Sequence, residues 1–285
     1  AWMQVAPNAN LVGMPTRNLK TACVELSIGI WPTASLPKKI RTESVNFPPP
    51  QVPPPPPQQR VRFSAQRRNL NPYTASHAII AANLGLFVWG YISDALHPGT
   101  LNGISQYQFD MGLAREFLDA GEWYRLVSSG FLHFGLFHVG MNMFLLYQLS
   151  RMLEPTLGSV KFALVYFASL LGGAAGALIA SPDALTGGAS GAVFGMMAAA
   201  IVGMRQRGVN PLQTGLGLTF VINIGLTLAI PNISVGGHFG GAIAGAACGV
   251  FVLAPAHWRL PRWTEFVLPV IIGMVATVIA VTPSL

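Results

Sequence analysis

The chain has 285 residues, of which 52% are hydrophobic and only 9% charged, where a soluble domain carries about a quarter of its residues as charge. With a mean hydropathy of +0.49, this composition excludes an ordinary water-soluble globular protein and points to membrane-spanning helices. The net charge of +7 is confined to one end: residues 1–74 hold nine Lys/Arg against Glu25 and Glu43, while residues 75–285 hold eight basic and eight acidic residues.

Residues 1–74 show no sustained periodicity. Pro48–Pro50 and Pro53–Pro57 cannot be helical, because each proline removes a donor and clashes with the preceding turn. The segment is expected to be a basic, proline-rich, disordered tail. No secretory signal is expected, because its first thirty residues hold no apolar core. Positive charge beside a first span holds that end in the cytoplasm next to anionic lipid, so a nucleic-acid partner is not expected. The two cysteines, Cys23 and Cys248, are too few and too far apart for a disulfide framework or a thiolate metal site.

From Ala75 onward seven apolar segments of spanning length follow, at about 75–95, 131–151, 160–180, 188–206, 212–230, 236–255 and 264–282. The fold class is therefore an all-α polytopic membrane protein. Loop charges agree with a cytoplasmic N-terminus: Asp94, Asp110, Glu116, Asp119 and Glu122 crowd the first loop, whereas Arg151, Lys161, Arg205, Arg207, Arg259 and Arg262 fall on the tail's side. The C-terminus is then outside. In the first loop, over 96–125, Tyr107–Leu118 is amphipathic enough to lie in the interface.

Gly187, Gly191 and Gly195 recur every four residues near the head of the fourth span, as do Gly237, Gly241, Gly245 and Gly249 through the sixth. Each set lines one helix face and lets two backbones approach. Ser190 stands beside the first face and His238 beside the second. Both spans run from outside to inside, so hydroxyl and imidazole fall at similar depth in the outer half. A histidine in hydrocarbon needs a partner or water, and a serine supplies both a partner and a chemistry. The imidazole takes the hydroxyl proton as the oxygen attacks a carbonyl, then returns it to the leaving amine. No carboxylate is well placed as a third member; Asp183 lies in the loop before the span. A Ser–His dyad is the simpler reading.

A tetrahedral intermediate also needs donors. His138 and Asn142, four apart on the second span, share one face at the depth of Ser190. Ser190 itself lies near a helix N-terminus, where free N–H groups favour negative charge. Helix–helix packing is the competing role for His138 and Asn142. His133 is nearer the mouth. A zinc site from His133, His138 and His238 is disfavoured, because the first two are five apart with no intervening glutamate; no metal or cofactor is expected. A transporter and an inactive scaffold are the rival classes. The first lacks support, since no acidic residue lies centrally in a span and no broken-helix halves match.

These residues resemble the rhomboid family of intramembrane serine proteases. Gly188-Ala189-Ser190-Gly191 is similar to the family's GxSG motif, and the stretch from His238 through Gly241 to Gly245 to its HxxGxxxG. The segment Leu132–Asn142 looks like the second-span HxxxN segment, Trp123-Tyr124-Arg125 like the Trp-Arg signature of the first loop, and Glu154 with Gly158 like the motif at the cytoplasmic end of the second span. The resemblance covers about 75–255, and the segment at 264–282 adds a seventh helix to the six-helix core. It implies Ser190 as nucleophile, His238 as base, His138 and Asn142 as oxyanion partners, and Gly188, Gly191, Gly241, Gly245, His133, Trp123, Arg125 and Glu154 in support. It also implies transmembrane proteins as substrates, cut from the outer side of a cell membrane; a helical substrate shields its carbonyls and is expected to unwind locally, with movement of the fifth span or its outer loop as the hypothesised gate. Some members stack a tyrosine on the catalytic imidazole; Phe194 stands there, able to stack but without a hydroxyl.

Overall fold

The computed structural model describes residues 73–96, 100–101 and 104–282. The expected tail over 1–74, with Cys23 and the proline runs, lies outside the described residues except at its last two positions. In chain order come α1 (Thr74–Leu96), a hairpin of β1 (Thr100–Leu101) and β2 (Ile104–Ser105), and three short helices, α2 (Gln106–Met111), α3 (Arg115–Asp119) and α4 (Arg125–Ser128). The longer helices follow: α5 (Leu136–Leu157), α6 (Ser159–Ala180), α7 (Ser190–Gln206), α8 (Leu216–Ala229), α9 (Val235–Val252) and α10 (Thr264–Val281).

Helices α1, α6, α9 and α10 are each long and apolar enough to cross a bilayer. A fifth candidate span joins α4 and its following turn to α5 across a 96° bend. The chain is a multi-pass, helical membrane protein. Helices α7 and α8, with 17 and 14 residues, rise only about 25 and 21 Å at 1.5 Å per residue, short of a hydrocarbon core about 30 Å thick.

Three expected starts move, each for a local reason. Helix α5 begins at Leu136 rather than near 131, because Gly135 is extended (φ 162, ψ 167). Gly188, at φ +134, holds the chain out of helix until Ser190. Helix α8 begins at Leu216 rather than near 212: Asn210 caps a short 3₁₀ turn over Pro211–Gln213, and Gly215 then turns left-handed at φ 75. The amphipathic stretch Tyr107–Leu118 runs through two short helices. Gly112 is extended and separates α2 from α3, while Tyr107, Leu113, Phe117 and Leu118 are buried against the helices.

Helix α9 is packed between α6 and α7 by backbone contact on two faces. A Cβ on Gly241 would overlap the Gly191 carbonyl, and one on Gly245 the Gly195 backbone. On the other face a Cβ on Gly240 would meet the Gly172 carbonyl, and one on Gly176 the Gly236 carbonyl. Leu146, Phe162, Tyr166, Met196 and Met197 fill the core around them. Helix α10 joins α6 through the Lys161–Glu265 ion pair.

Glu154, fully buried on α5, ties the ends of three helices together. Its carboxylate accepts from the Ala75 and Ser76 N–H groups at 2.8 and 3.0 Å and from the Ser159 hydroxyl at 2.6 Å. The first two are orphan donors at the N-terminus of α1, where negative charge is favoured. Glu154→Ala leaves those donors unpartnered in the interior. It is expected to destabilise the fold by about 3 kcal/mol, read as a lower thermal midpoint in detergent.

Candidate active site

Ser190 is the first residue of α7, and its hydroxyl lies 2.7 Å from His238 Nε2. His238 sits in the first turn of α9, whose N-terminus is capped by the Ser234 hydroxyl accepting from the Gly237 N–H at 3.1 Å. The glycine contacts between α7 and α9 bring these two turns into register. Four residues on, Phe194 lies against the imidazole with ring centroids 4.1 Å apart and planes 15° from parallel. Phe220 of α8 backs Phe194 at 5.8 Å.

The second imidazole nitrogen is engaged as well. His238 Nδ1 is 2.7 Å from the Thr227 hydroxyl of α8, which is buried at 3% exposure. Sequence reasoning missed this residue, because a threonine in an apolar helix reads as one bonded to its own backbone. The signal that could have found it is the tight Pro231-Asn232 turn, which folds the end of α8 back toward the start of α9. Both ring nitrogens thus meet hydroxyls rather than a carboxylate, and Asp183 is exposed in its loop.

His138 faces the same point from α5. A Cβ on Gly188 would stand 2.8 Å from His138 Nε2 and 3.7 Å from the Ser190 hydroxyl, so glycine there leaves the ring edge open beside that hydroxyl. Asn142 is buried one turn further on, and its side-chain N–H donates to the His138 carbonyl at 3.0 Å. His133 lies just before α5, its ring edge-on to His138 at 5.0 Å, with Nδ1 3.3 Å from the Phe131 carbonyl. Among the described residues no three metal-ligating side chains gather.

The first loop supports the approach to Ser190. Leu113 and Thr186 exchange both backbone hydrogen bonds, at 2.8 and 2.9 Å, and the Gly188 N–H donates to the Ser129 carbonyl at 2.8 Å. Arg125 holds this loop in shape. Its guanidinium donates to the Phe109 and Gly112 carbonyls, pairs with Glu122, and lies 3.9 Å over the Phe117 ring. The hydrogen bond from Arg125 holds the Glu122 carboxyl below the usual carboxylate range. Trp123, by contrast, is 60% exposed. A cavity of about 40 Å³ opens beside Ser190, lined among others by Ser129, Thr186, Gly187, Gly188 and Gly191, large enough for water.

Residues 120–255 match the Rhomboid domain family model, a range that contains Ser190, His238, Thr227, His138 and Asn142. Rhomboid protease GluP of Bacillus subtilis is 34% identical over 128 residues, covering 44% of this chain and 25% of that protein. RHOMBOID-like protein 6, mitochondrial, of Arabidopsis thaliana is 25% identical over 209 residues, covering 72% of this chain and 59% of that protein. Rhomboid-type serine protease 2 of Emericella nidulans is 30% identical over 143 residues, covering 46% and 27%. The chain therefore spans between 25% and 59% of the length of these relatives. The chain is thus a helical, multi-pass membrane protein with a match to the Rhomboid domain over residues 120–255.

Proposed function

We propose that this protein is an intramembrane serine endopeptidase that hydrolyses peptide bonds in or next to transmembrane helices of membrane-protein substrates. The observation that carries this reading is the 2.7 Å contact between the Ser190 hydroxyl and His238 Nε2. His238 removes the Ser190 proton as the oxygen attacks the scissile carbonyl, and the tetrahedral intermediate collapses when the imidazolium protonates the leaving amine. A water then enters, gives one proton to His238 and bonds through its oxygen to the acyl carbon; the bond to Ser190 breaks, the imidazolium returns the proton to the Ser190 oxygen, and the acid leaves. The cavity beside the nucleophile supplies room for that water.

In this reading the oxyanion forms beside the edge of His138 and the N-terminal N–H groups of α7, with Asn142 supporting His138 from the next turn. His138→Ala is expected to lower kcat by about 10²- to 10³-fold with little change in KM, measured by steady-state cleavage in liposomes. The remaining topology belongs to the same proposal: a six-helix core with α10 as seventh span, N-terminus cytoplasmic, C-terminus outside, and the site reached from the outer face of a cell membrane. Because α7 begins at Ser190 and is short, the nucleophile stands below the membrane surface and water reaches it through the outer loops. A helical substrate shields its carbonyls, so it unwinds locally before attack, and glycine or another helix-breaking residue near the cut lowers that cost.

The test is cleavage of a single-pass reporter protein co-reconstituted with the full chain, the cut being located by mass spectrometry. Wild type should yield two fragments divided at or beside the membrane segment, and Ser190→Ala should yield none. Equal cleavage by both proteins, or a reporter that wild type leaves intact, overturns the reading in favour of a scaffold or transporter.

A further inference from the structure

The dyad has a neighbour that neither the motifs nor the family match assigns a role. Thr227 projects from α8, one turn before the Pro231-Asn232 turn, and its hydroxyl makes two short contacts. It donates to the Asn223 carbonyl of its own helix at 2.7 Å and lies 2.7 Å from His238 Nδ1. A hydroxyl has one proton and two lone pairs. With the proton committed to Asn223, Thr227 Oγ1 can only accept from the ring, so Nδ1 carries the imidazole proton. Nε2 is then left with its lone pair toward Ser190, the arrangement a general base requires. In the opposite tautomer Nε2–H would point at the Ser190 oxygen and could not receive its proton.

We propose that Thr227 is the positioning residue of the site, the third member of a Ser190–His238–Thr227 chain in which a hydroxyl stands where other serine hydrolases place a carboxylate. This deepens the protease reading and rests on it. Phe194 fixes the plane of the imidazole, and the two hydroxyls at its ends fix rotation within that plane. As Ser190 attacks, its proton passes to Nε2 and the positive imidazolium keeps its Nδ1–H bond to Thr227. The Asn223 carbonyl dipole lies behind that hydroxyl. The proton returns to the leaving amine, so Thr227 is never ionised and gives up no atom. A neutral hydroxyl suits this place: Thr227 is 3% exposed and His238 8%, and a carboxylate there would carry the desolvation cost of a buried charge. The β-branch also restricts the side-chain rotamer, keeping the oxygen on the ring when substrate enters.

The experiment compares Thr227→Val, which keeps the shape and removes the hydroxyl, with Thr227→Ser, which keeps the hydroxyl and removes the methyl. Thr227→Ala is read alongside, so that poor packing of valine cannot decide the outcome. Full-length protein in liposomes is assayed against the single-pass reporter, with Ser190→Ala as blank and thermal midpoints measured in parallel. The loss of one hydrogen bond to a group that becomes charged corresponds to about 10- to 100-fold in rate. Thr227→Val and Thr227→Ala should lower kcat by that factor with KM unchanged, while Thr227→Ser stays within about threefold of wild type. Wild-type kcat in Thr227→Val or Thr227→Ala overturns the proposal. So does an equal loss in Thr227→Ser, or a fall in thermal midpoint with unchanged turnover per folded molecule, either of which would leave Thr227 a packing residue only. If wild type is itself inactive, the parent reading fails; if wild type cleaves and Thr227→Val matches it, only the role of Thr227 fails.

Discussion

Replacing either Ser190 or His238 by alanine is expected to lower kcat by about 10⁴- to 10⁶-fold, and replacing both to cost no more than replacing one. On the proposed reading the two side chains, 2.7 Å apart, form one proton-transfer unit. Without the imidazole, Ser190 keeps its proton and is a poor nucleophile; without the hydroxyl, the imidazole has nothing to activate. The residual rate would come from groups that bind and polarise the carbonyl independently of the dyad, for which His138 and the start of α7 are proposed. Single-turnover cleavage by the two single variants and the double variant measures this directly. Losses that multiply would mean the residues act separately, against a dyad. Thermal midpoints should stay close to wild type in Ser190→Ala, because Ser190 is only half-buried and alanine fits where serine stood.

The largest expected effect on stability lies in the glycine contacts that carry the dyad. A Cβ on Gly245 would run into the backbone of Gly195, and one on Gly241 into the backbone of Gly191. A flexible side chain could swing aside, but a helix backbone yields only if the whole helix moves. Gly245→Val is therefore expected to separate α7 from α9, destabilise the fold by about 3 kcal/mol or more, and carry Ser190 away from His238. Activity and thermal midpoint fall together. Gly140→Ala on α5 is the matched control: its Cβ meets nothing within 4 Å, and removing a helix-interior glycine adds about 0.5–1 kcal/mol of stability. A Gly245→Val protein that keeps both its midpoint and its turnover would contradict the packing described for α7 and α9.

Much of this arrangement was legible in the sequence because it is periodic. The four-residue spacing of Gly191 and Gly195 and of Gly237–Gly249 marks the two faces that meet, and the polar residues beside them are the ones brought together; Gly187 precedes α7, and a Cβ there would meet Leu132 instead. The second glycine face of α9, formed by Gly236 and Gly240 against Gly172 and Gly176 of α6, was not anticipated. In a run of alanines and glycines such as Leu170–Ala180, small residues fall on every side of the helix, so no face stands out. Contacts between distant segments were harder still. The Leu113–Thr186 bridge joins residues 73 positions apart, and nothing in either stretch marks the other as its partner. Glu154 was placed near the end of its span by resemblance alone. That it caps α1 follows from where α1 starts in space, which no local pattern records. Trp123 matched a motif, yet its ring faces outward, while Arg125 next to it pins the loop. Thr227 escaped notice for a similar reason, since its bond to Asn223 is what any helical threonine makes and only the fold brings His238 to its other side.

The central claim, that Ser190 is a nucleophile activated by His238, is tested most directly by covalent labelling with a fluorophosphonate. The serine oxygen bonds to phosphorus, fluoride leaves, and the hydroxyl proton passes to the imidazole. Intact mass and peptide mapping of the membrane-reconstituted protein should show one adduct, on Ser190. It should be absent after unfolding and strongly slowed in His238→Ala. No adduct on the folded protein, an adduct at another residue, or labelling of Ser190 at the same rate in His238→Ala would contradict the account.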